Sequence, residues 1–254
     1  MFTKILLMSD IHITEPGVEI AGLNPSDRFR RSLEHAAKHH ADATHLFLMG
    51  DLTDTGHVKE YQILKENLKC QPFPVTLMLG NHDERSAFSQ VFSNLPMGFQ
   101  HGAKKFGETT ILYLDTLNQN NLNSDSGLLC NERLEWLDSN LSAGNGPVII
   151  LSHHHMLNTG FDALDDINLL NGNLVAEIIA GSRRCQMVIN GHLHRIVLST
   201  FKGTPHAAIK SPCHQMPMIL GSKDIFPSTA EPGGYGVLLL DGQTPILHHV
   251  DVNF

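Results

Sequence analysis

The chain has 254 residues, 41% of them hydrophobic and 17% charged, a globular composition long enough to bury a sizeable core. A formal net charge of −8 with no long basic run excludes a protein held to a nucleic acid polymer by backbone charge, although bound cations can reverse the local field for a small anionic substrate. No stretch approaches the roughly 20 apolar residues of a membrane span, so a cytoplasmic protein without membrane attachment is expected.

"KILLM" (4–8) is too short for a signal-peptide core and is the first of six apolar runs that read as buried strands. It runs into Ser9-Asp10-Ile11-His12. "DRFRRSLEHAAKHH" (27–40) predicts a helix burying Phe29, Leu33, Ala36 and Ala37. Arg28, Arg30 and Arg31 solvate it, and His39 and His40 sit at its end, where positive charge suits the dipole. "HLFLM" (45–49) leads into Gly50-Asp51-Leu52-Thr53-Asp54, and "EYQILKENL" (60–68) predicts a second helix. "VTLML" (75–79) leads into Gly80-Asn81-His82-Asp83. "TILYL" (110–114) is followed by the helical "NERLEWLDSNL" (131–141), with Asn131 as its candidate cap. "VIIL" (148–151) precedes Ser152-His153-His154-His155, and "QMVI" (186–189) precedes Asn190-Gly191-His192-Leu193-His194. "PSTAEPGG" (227–234) reads as a loop. "GVLLL" (236–240) and "PILHHVDV" (245–252) predict strands joined at Asp241-Gly242, with His248 and His249 on opposite sides.

The alternation predicts an α/β layered sandwich, one domain over 1–254, whose late strands could extend a sheet across a homodimer. Cys70, Cys130, Cys185 and Cys213 form no C-x-x-C pair and are expected as reduced thiols.

Five of the apolar runs deliver carboxylate, amide or imidazole to their carboxyl ends, where α/β sheets collect ligands. In Asp10-x-His12 and His192-x-His194, side chains two apart on extended backbone point the same way and can reach one ion. Asp51 has two oxygens and could bridge two cations, and Asn81 offers a neutral carbonyl oxygen. Glycines 50, 80 and 191 let the backbone turn tightly beneath them. Nitrogen and oxygen ligation without thiolate suits manganese, iron, zinc or magnesium and does not choose among them.

The series D-x-H, G-D-x-x-D, G-N-H-D, H-H and G-H-x-H covers residues 10 to 194 and resembles the calcineurin-like metallophosphoesterases. Within that superfamily the compact length, "HHH" and the following "MLNTG" are similar to bacterial class III cyclic-nucleotide phosphodiesterases, with glycerophosphodiesterases close behind. The resemblance implies a four-layer α/β/β/α sandwich of two mixed sheets flanked by helices, with two divalent metal ions at one sheet edge. It assigns Asp10, His12, Asp51 and His194 to the first metal. Asp51 as a bridge, Asn81, His153 and His192 take the second, with His154 the alternative to His153. The family often has proline after its histidine pair, where this chain has His155 and Met156, and this leaves the shape of the substrate rim open.

The reaction implied is in-line attack by a metal-held hydroxide on a small phosphodiester, a 3′,5′-cyclic nucleotide such as cAMP or a glycerophosphodiester. Cations about 3.5–4 Å apart clamp the phosphate in such sites. His82 is the candidate donor to a phosphate oxygen and His214 a candidate wall of the substrate pocket, while Asp83 would orient a histidine or the loop. The alternatives are a phosphomonoesterase and a non-catalytic protein-binding scaffold. Eroded ligands would mark the scaffold, and every expected position here is filled.

Overall fold

A computed structural model describes residues 2–119, 125–224 and 227–253. Each predicted run becomes a strand: β1 (Thr3–Met8), β2 (His45–Met49), β3 (Val75–Met78), β5 (Thr109–Tyr113), β6 (Val148–Ser152) and β7 (Cys185–Asn190). They split between two sheets. β1, β2 and β3 pair in parallel, and β10 (Gly233–Leu240) and β11 (Ile246–Val252) return antiparallel to give the order β11-β10-β1-β2-β3. The second sheet has the order β4-β5-β6-β7-β9-β8, with β4 (Gly102–Phe106), β8 (Val197–Phe201) and β9 (Thr204–Ala208) added to the parallel β5, β6 and β7.

Strand alternation builds the layers. In β1, Ile5 and Leu7 face the interlayer core with Phe47, Met78, Ile149, Leu151 and Ile189. Leu6 and Met8 face the opposite way, against α1 (Pro25–His39), α2 (Val58–Asn67) and α3 (Arg85–Val91), through Phe29, Leu33, Leu64 and Phe88. On the outer side of the second sheet, Leu112, Ile150 and Val188 pack on Leu137 and Leu141 of α4 (Asn131–Ser142). Val175 and Ile179 of α6 (Gly172–Gly181) complete that layer, and α5 (Asp162–Asp165) is a single turn. Two mixed sheets between helices make the α/β/β/α sandwich. Strands buried on both faces carry apolar residues at every position, hence the continuous runs.

Local chemistry departs from expectation in two places. Asn131 is the first residue inside α4 and not its cap. Cys130 is the cap residue and makes no side-chain cap bond. The capping amide belongs to α1, where the Asn24 side chain accepts from the Asp27 N–H at 2.9 Å ahead of Pro25. Gly233 and Gly234 open β10 and do not end a loop, because a side chain there would collide with Pro212 or His249. The Asp241-Gly242 turn forms as expected, with the Asp241 carboxylate accepting from the Gln243 and Thr244 amides.

His39 is exposed, His40 caps α1, and His248 and His249 differ in exposure as their alternation requires. Cys130, Cys185 and Cys213 are free thiols, while the side chain of Cys70 lies outside the described residues. Among the described residues, no helix is long and apolar enough to cross a membrane.

Candidate metal centre

The carboxyl ends of β1, β2 and β3 meet those of β6 and β7 across the seam between the sheets. The first sheet contributes Asp10, His12, Asp51 and Asn81, and the second contributes His153, His192 and His194. Ligand-capable atoms of Asp10, His12, Asp51 and His194 lie within 4.8 Å of one another, and those of His153, His154 and His192 do the same. Asp51 joins the sets: its Oδ2 is 3.3 Å from His153 Nε2 and 3.6 Å from His12 Nε2. The Asn81 Oδ1 lies 3.1 Å from His153 Nε2.

The route to convergence differs from the one expected. Asp10 and His12 do not sit on extended backbone. Their φ angles are 59° and 45°, and those of His192 and His194 are 66° and 49°. Asp51 is left-handed too, at 48°, so five of the eight non-glycine residues with positive φ among those described belong to this cluster. Each such conformation costs on the order of 1–3 kcal/mol and persists only where its surroundings over-determine it. Gly50 turns with a φ of 99°, as expected. Gly80 and Gly191 are needed for room: a β-carbon on either would collide with Asp51 or with Ser9.

The hydrogen bonds fix which ring nitrogen faces inward. His12 Nδ1 donates to the Asp54 carboxylate at 3.1 Å, His153 Nδ1 to the Met49 carbonyl at 3.0 Å, and His194 Nδ1 to the His214 carbonyl at 3.0 Å. In the neutral form of each ring the inward Nε2 is then a bare lone pair. His12 Nε2 faces His194 Nε2 at 3.3 Å, and the latter faces the Asp10 Oδ1 at 3.4 Å. Acceptors crowded against acceptors in a buried pocket repel unless a cation lies among them. The donor set therefore fits divalent ions. His154 is differently engaged: Nε2 donates to the Asp125 carbonyl at 3.3 Å, and Nδ1 accepts from the Thr116 hydroxyl at 2.7 Å.

Burial and charge oppose each other throughout. Burial holds His12, His154 and His192 well below the ordinary imidazole range, neighbouring histidines adding to the effect. Burial would lower His153 as well, but the Asp51 and Asp10 carboxylates outweigh it and raise that ring to about 9. Burial pushes the Asp51 carboxyl up, and the charges of His153 and His82 more than compensate, holding it well below the carboxylate range.

His82 stands apart from the buried set, its side chain 41% exposed. Its amide donates to Asp51 at 2.9 Å, its Nδ1 donates to the Asp54 carbonyl at 2.7 Å, and its ring meets His12 edge-on at 4.6 Å. His214 is buried against His194 and His12, its ring 4.5 Å and 4.9 Å from theirs, and burial ahead of the neighbouring histidines lowers it to about 2. Asp83 ties loops together, accepting from the amides of Gly80, Leu52 and Thr53 and from the Tyr61 hydroxyl. Asp83→Ala would leave these buried donors without acceptors and is expected to destabilise the fold by roughly 3–5 kcal/mol in denaturant titrations. A loss below about 1 kcal/mol would mean the loops do not depend on this carboxylate.

Several supports had no role in the sequence reading. Asp54 closes the G-D-x-x-D spacing and so was visible, yet its work is to aim His12. The Ser211 hydroxyl donates to the Asp10 carbonyl, and Arg195 binds the Met216 carbonyl and Glu231, fastening the segment that carries His214. No spacing signals either.

Residues 3–195 match the profile of the calcineurin-like phosphoesterase family. A probable cyclic nucleotide phosphodiesterase of Rhodopseudomonas palustris is 30% identical over 250 residues, covering 96% of this chain and 91% of its own. The glycerophosphodiester phosphodiesterase GpdQ of Enterobacter lignolyticus is 25% identical over 176 residues, 66% of this chain and 62% of its own. In three dimensions a dimetal phosphatase from Danio rerio matches with a TM-score of 0.74 over 99% of each chain at 13% identity, a likeness of fold.

Proposed function

This chain belongs to the calcineurin-like phosphoesterase family, and from that premise we propose that it is a dinuclear-metal phosphodiesterase acting on a small diester, a 3′,5′-cyclic nucleotide or a glycerophosphodiester. The observation that carries the reading is the meeting of two donor sets at Asp51, with ligand candidates supplied by both sheets. Asp10, His12, Asp51 and His194 would hold one divalent ion, and Asp51, Asn81, His153 and His192 the other. His154 spends its nitrogens on Thr116 and Asp125, outside the cluster, whereas His153 Nε2 faces Asp51 and Asn81, themselves ligand candidates, so His153 is the better ligand. Manganese, iron and zinc all suit the donors.

Ions held there would supply electrostatic stabilisation of a phosphoryl group and acidify a water. The protein's share is positional. Asp54 and the Met49 and His214 carbonyls aim three imidazoles, Asp51 balances charge between the sites, and the hydrogen bond from the His82 amide to Asp51 places the His82 ring at the edge of the cluster. With Nδ1 given to Asp54, His82 presents Nε2 to a phosphate oxygen or the leaving alcohol. A diester suits this cleft better than a dianionic monoester. The arginines of α1 are engaged elsewhere, Arg30 and Arg31 with Asp27 and Arg28 with the Glu231 carbonyl.

The names of the relatives favour small diesters, and the unpaired thiols suit a cytoplasmic setting. Turnover of metal-loaded protein on bis-p-nitrophenyl phosphate, p-nitrophenyl phosphate, cyclic nucleotides and glycerophosphodiesters tests the proposal. A preference for the monoester over every diester overturns it.

Metal uptake should depend on pH in a definite direction. In the metal-free chain His153 holds its proton below about 9, and that proton must leave before Nε2 can bind an ion. Acid therefore weakens binding. Mn²⁺ titrations are expected to show affinity rising about tenfold per pH unit through neutrality and flattening above the His153 transition. A flat profile would remove His153 from the ligand set.

A further inference from the structure

His155 stands where the family often has proline, and the proposed centre gives that ring no role. It is 2% exposed. Its Nε2 donates to Asp165 Oδ1 at 3.1 Å, and Asp165 is itself held by the Thr159 and Gly160 amides and the Thr159 hydroxyl. The carboxylate can only accept from His155, so its Nδ1 carries a lone pair, and that atom is buried with no hydrogen-bond partner. The His192 ring lies nearly parallel to it, 26° between planes and 5.6 Å between centroids, an offset arrangement. His192 has its own unpartnered buried atom, Nε2. If Nδ1 of His192 faces an ion, Nε2 must carry the ring proton. One ring thus has a donor without an acceptor, and its neighbour has an acceptor without a donor.

We propose that His155 is a positioning residue for His192, its Nδ1 accepting a hydrogen bond from the His192 Nε2–H after a small ring rotation, with Asp165 fixing the tautomer from behind. This rests on the proposed centre, in which His192 binds one of two ions. A small cavity bordered by His155, Asn190, Leu193 and His206 adjoins the His155 ring but is not lined by His192. Metal-ligating histidines commonly give their second ring nitrogen to such a partner, and loss of that partner weakens metal binding by about 10–100-fold.

Isothermal titration of Mn²⁺ into metal-free protein separates the two claims. Uptake of two equivalents by the wild type supports the centre, and failure there overturns the centre and the inference resting on it. His155→Phe keeps a flat ring but neither nitrogen. It is expected to weaken one equivalent by about 10–100-fold and spare the other. His155→Asn sets an oxygen near the Nδ1 position and should recover most of that loss. His206→Phe removes the other unpartnered nitrogen on the cavity and should change neither equivalent. Wild-type affinity for both ions in His155→Phe overturns the proposal, as does an equal loss in His155→Asn, which would make bulk alone responsible. Should His155→Phe fail to fold, Asp165→Asn leaves both rings in place and is expected to weaken the same equivalent severalfold, and unchanged affinity there is equally fatal.

Discussion

Asp51→Asn is expected to reduce bound metal from two ions to fewer than one and diester turnover by at least about 10³-fold, since several kcal/mol of transition-state stabilisation go with the ions. The substitution is nearly isosteric, and its remaining carbonyl can still accept from the His82 amide, so the loop should survive. What disappears is the charge that both donor sets share through the carboxylate facing His12 and His153. Metal analysis, circular dichroism and turnover on one preparation separate these effects. A folded variant that keeps two ions at wild-type affinity would show that Asp51 does not join the sites, and the dinuclear proposal would fail.

His82→Ala should do the opposite to metal and nearly the same to rate. The ring lies beside the proposed ligands and is half-exposed, where all of them but Asn81 are buried. Burial draws its imidazole down, but the Asp51 carboxylate and then the Asp54 carbonyl outweigh this and raise it, so it tends to keep a proton it can give to a departing oxygen. Loss of a positioned donor of this kind costs about 10²–10⁴-fold in kcat. Two ions should remain bound, and KM should move far less than kcat. A substrate with a better leaving group, which needs less proton donation, should suffer a smaller loss. Full turnover with full metal would reduce His82 to a buttress of its loop.

How far the chain could be read in advance follows from where each segment is buried. Central strands such as β1 and β6 announce themselves because both faces are covered, leaving the unbroken apolar runs 5–8 and 148–151. The edge strand β4 carries Lys104 and Lys105, and β9 carries Pro205, which argues against a strand. That proline is tolerated because β9 pairs with β7 only from His206 onward. α6 hides between glycines at both ends.

The candidate site is a similar mixture. Its side chains were visible because each follows a strand, and the structure brings them together. The manner of meeting was not visible. Left-handed turns at Asp10, His12, His192 and His194 take the place of the extended pairs that period-two reasoning supplied. Main-chain carbonyls that aim His153 and His194 have no signature in residue type, because any residue offers one.

The apolar layer between the sheets has a duty besides stability. Half of the proposed cage rides on β1, β2 and β3 and half on β6 and β7, and no loop carries both halves. Their mutual alignment is set by the flat contact of Ile5, Leu7, Phe47 and Met78 with Ile149, Leu151 and Ile189. Slippage there by a fraction of a side chain would shear the cage as a mistuned vice misses its workpiece. Changes in this hidden greasy plane, far from any substrate, should surface first as lost chemistry and only later as lost folding.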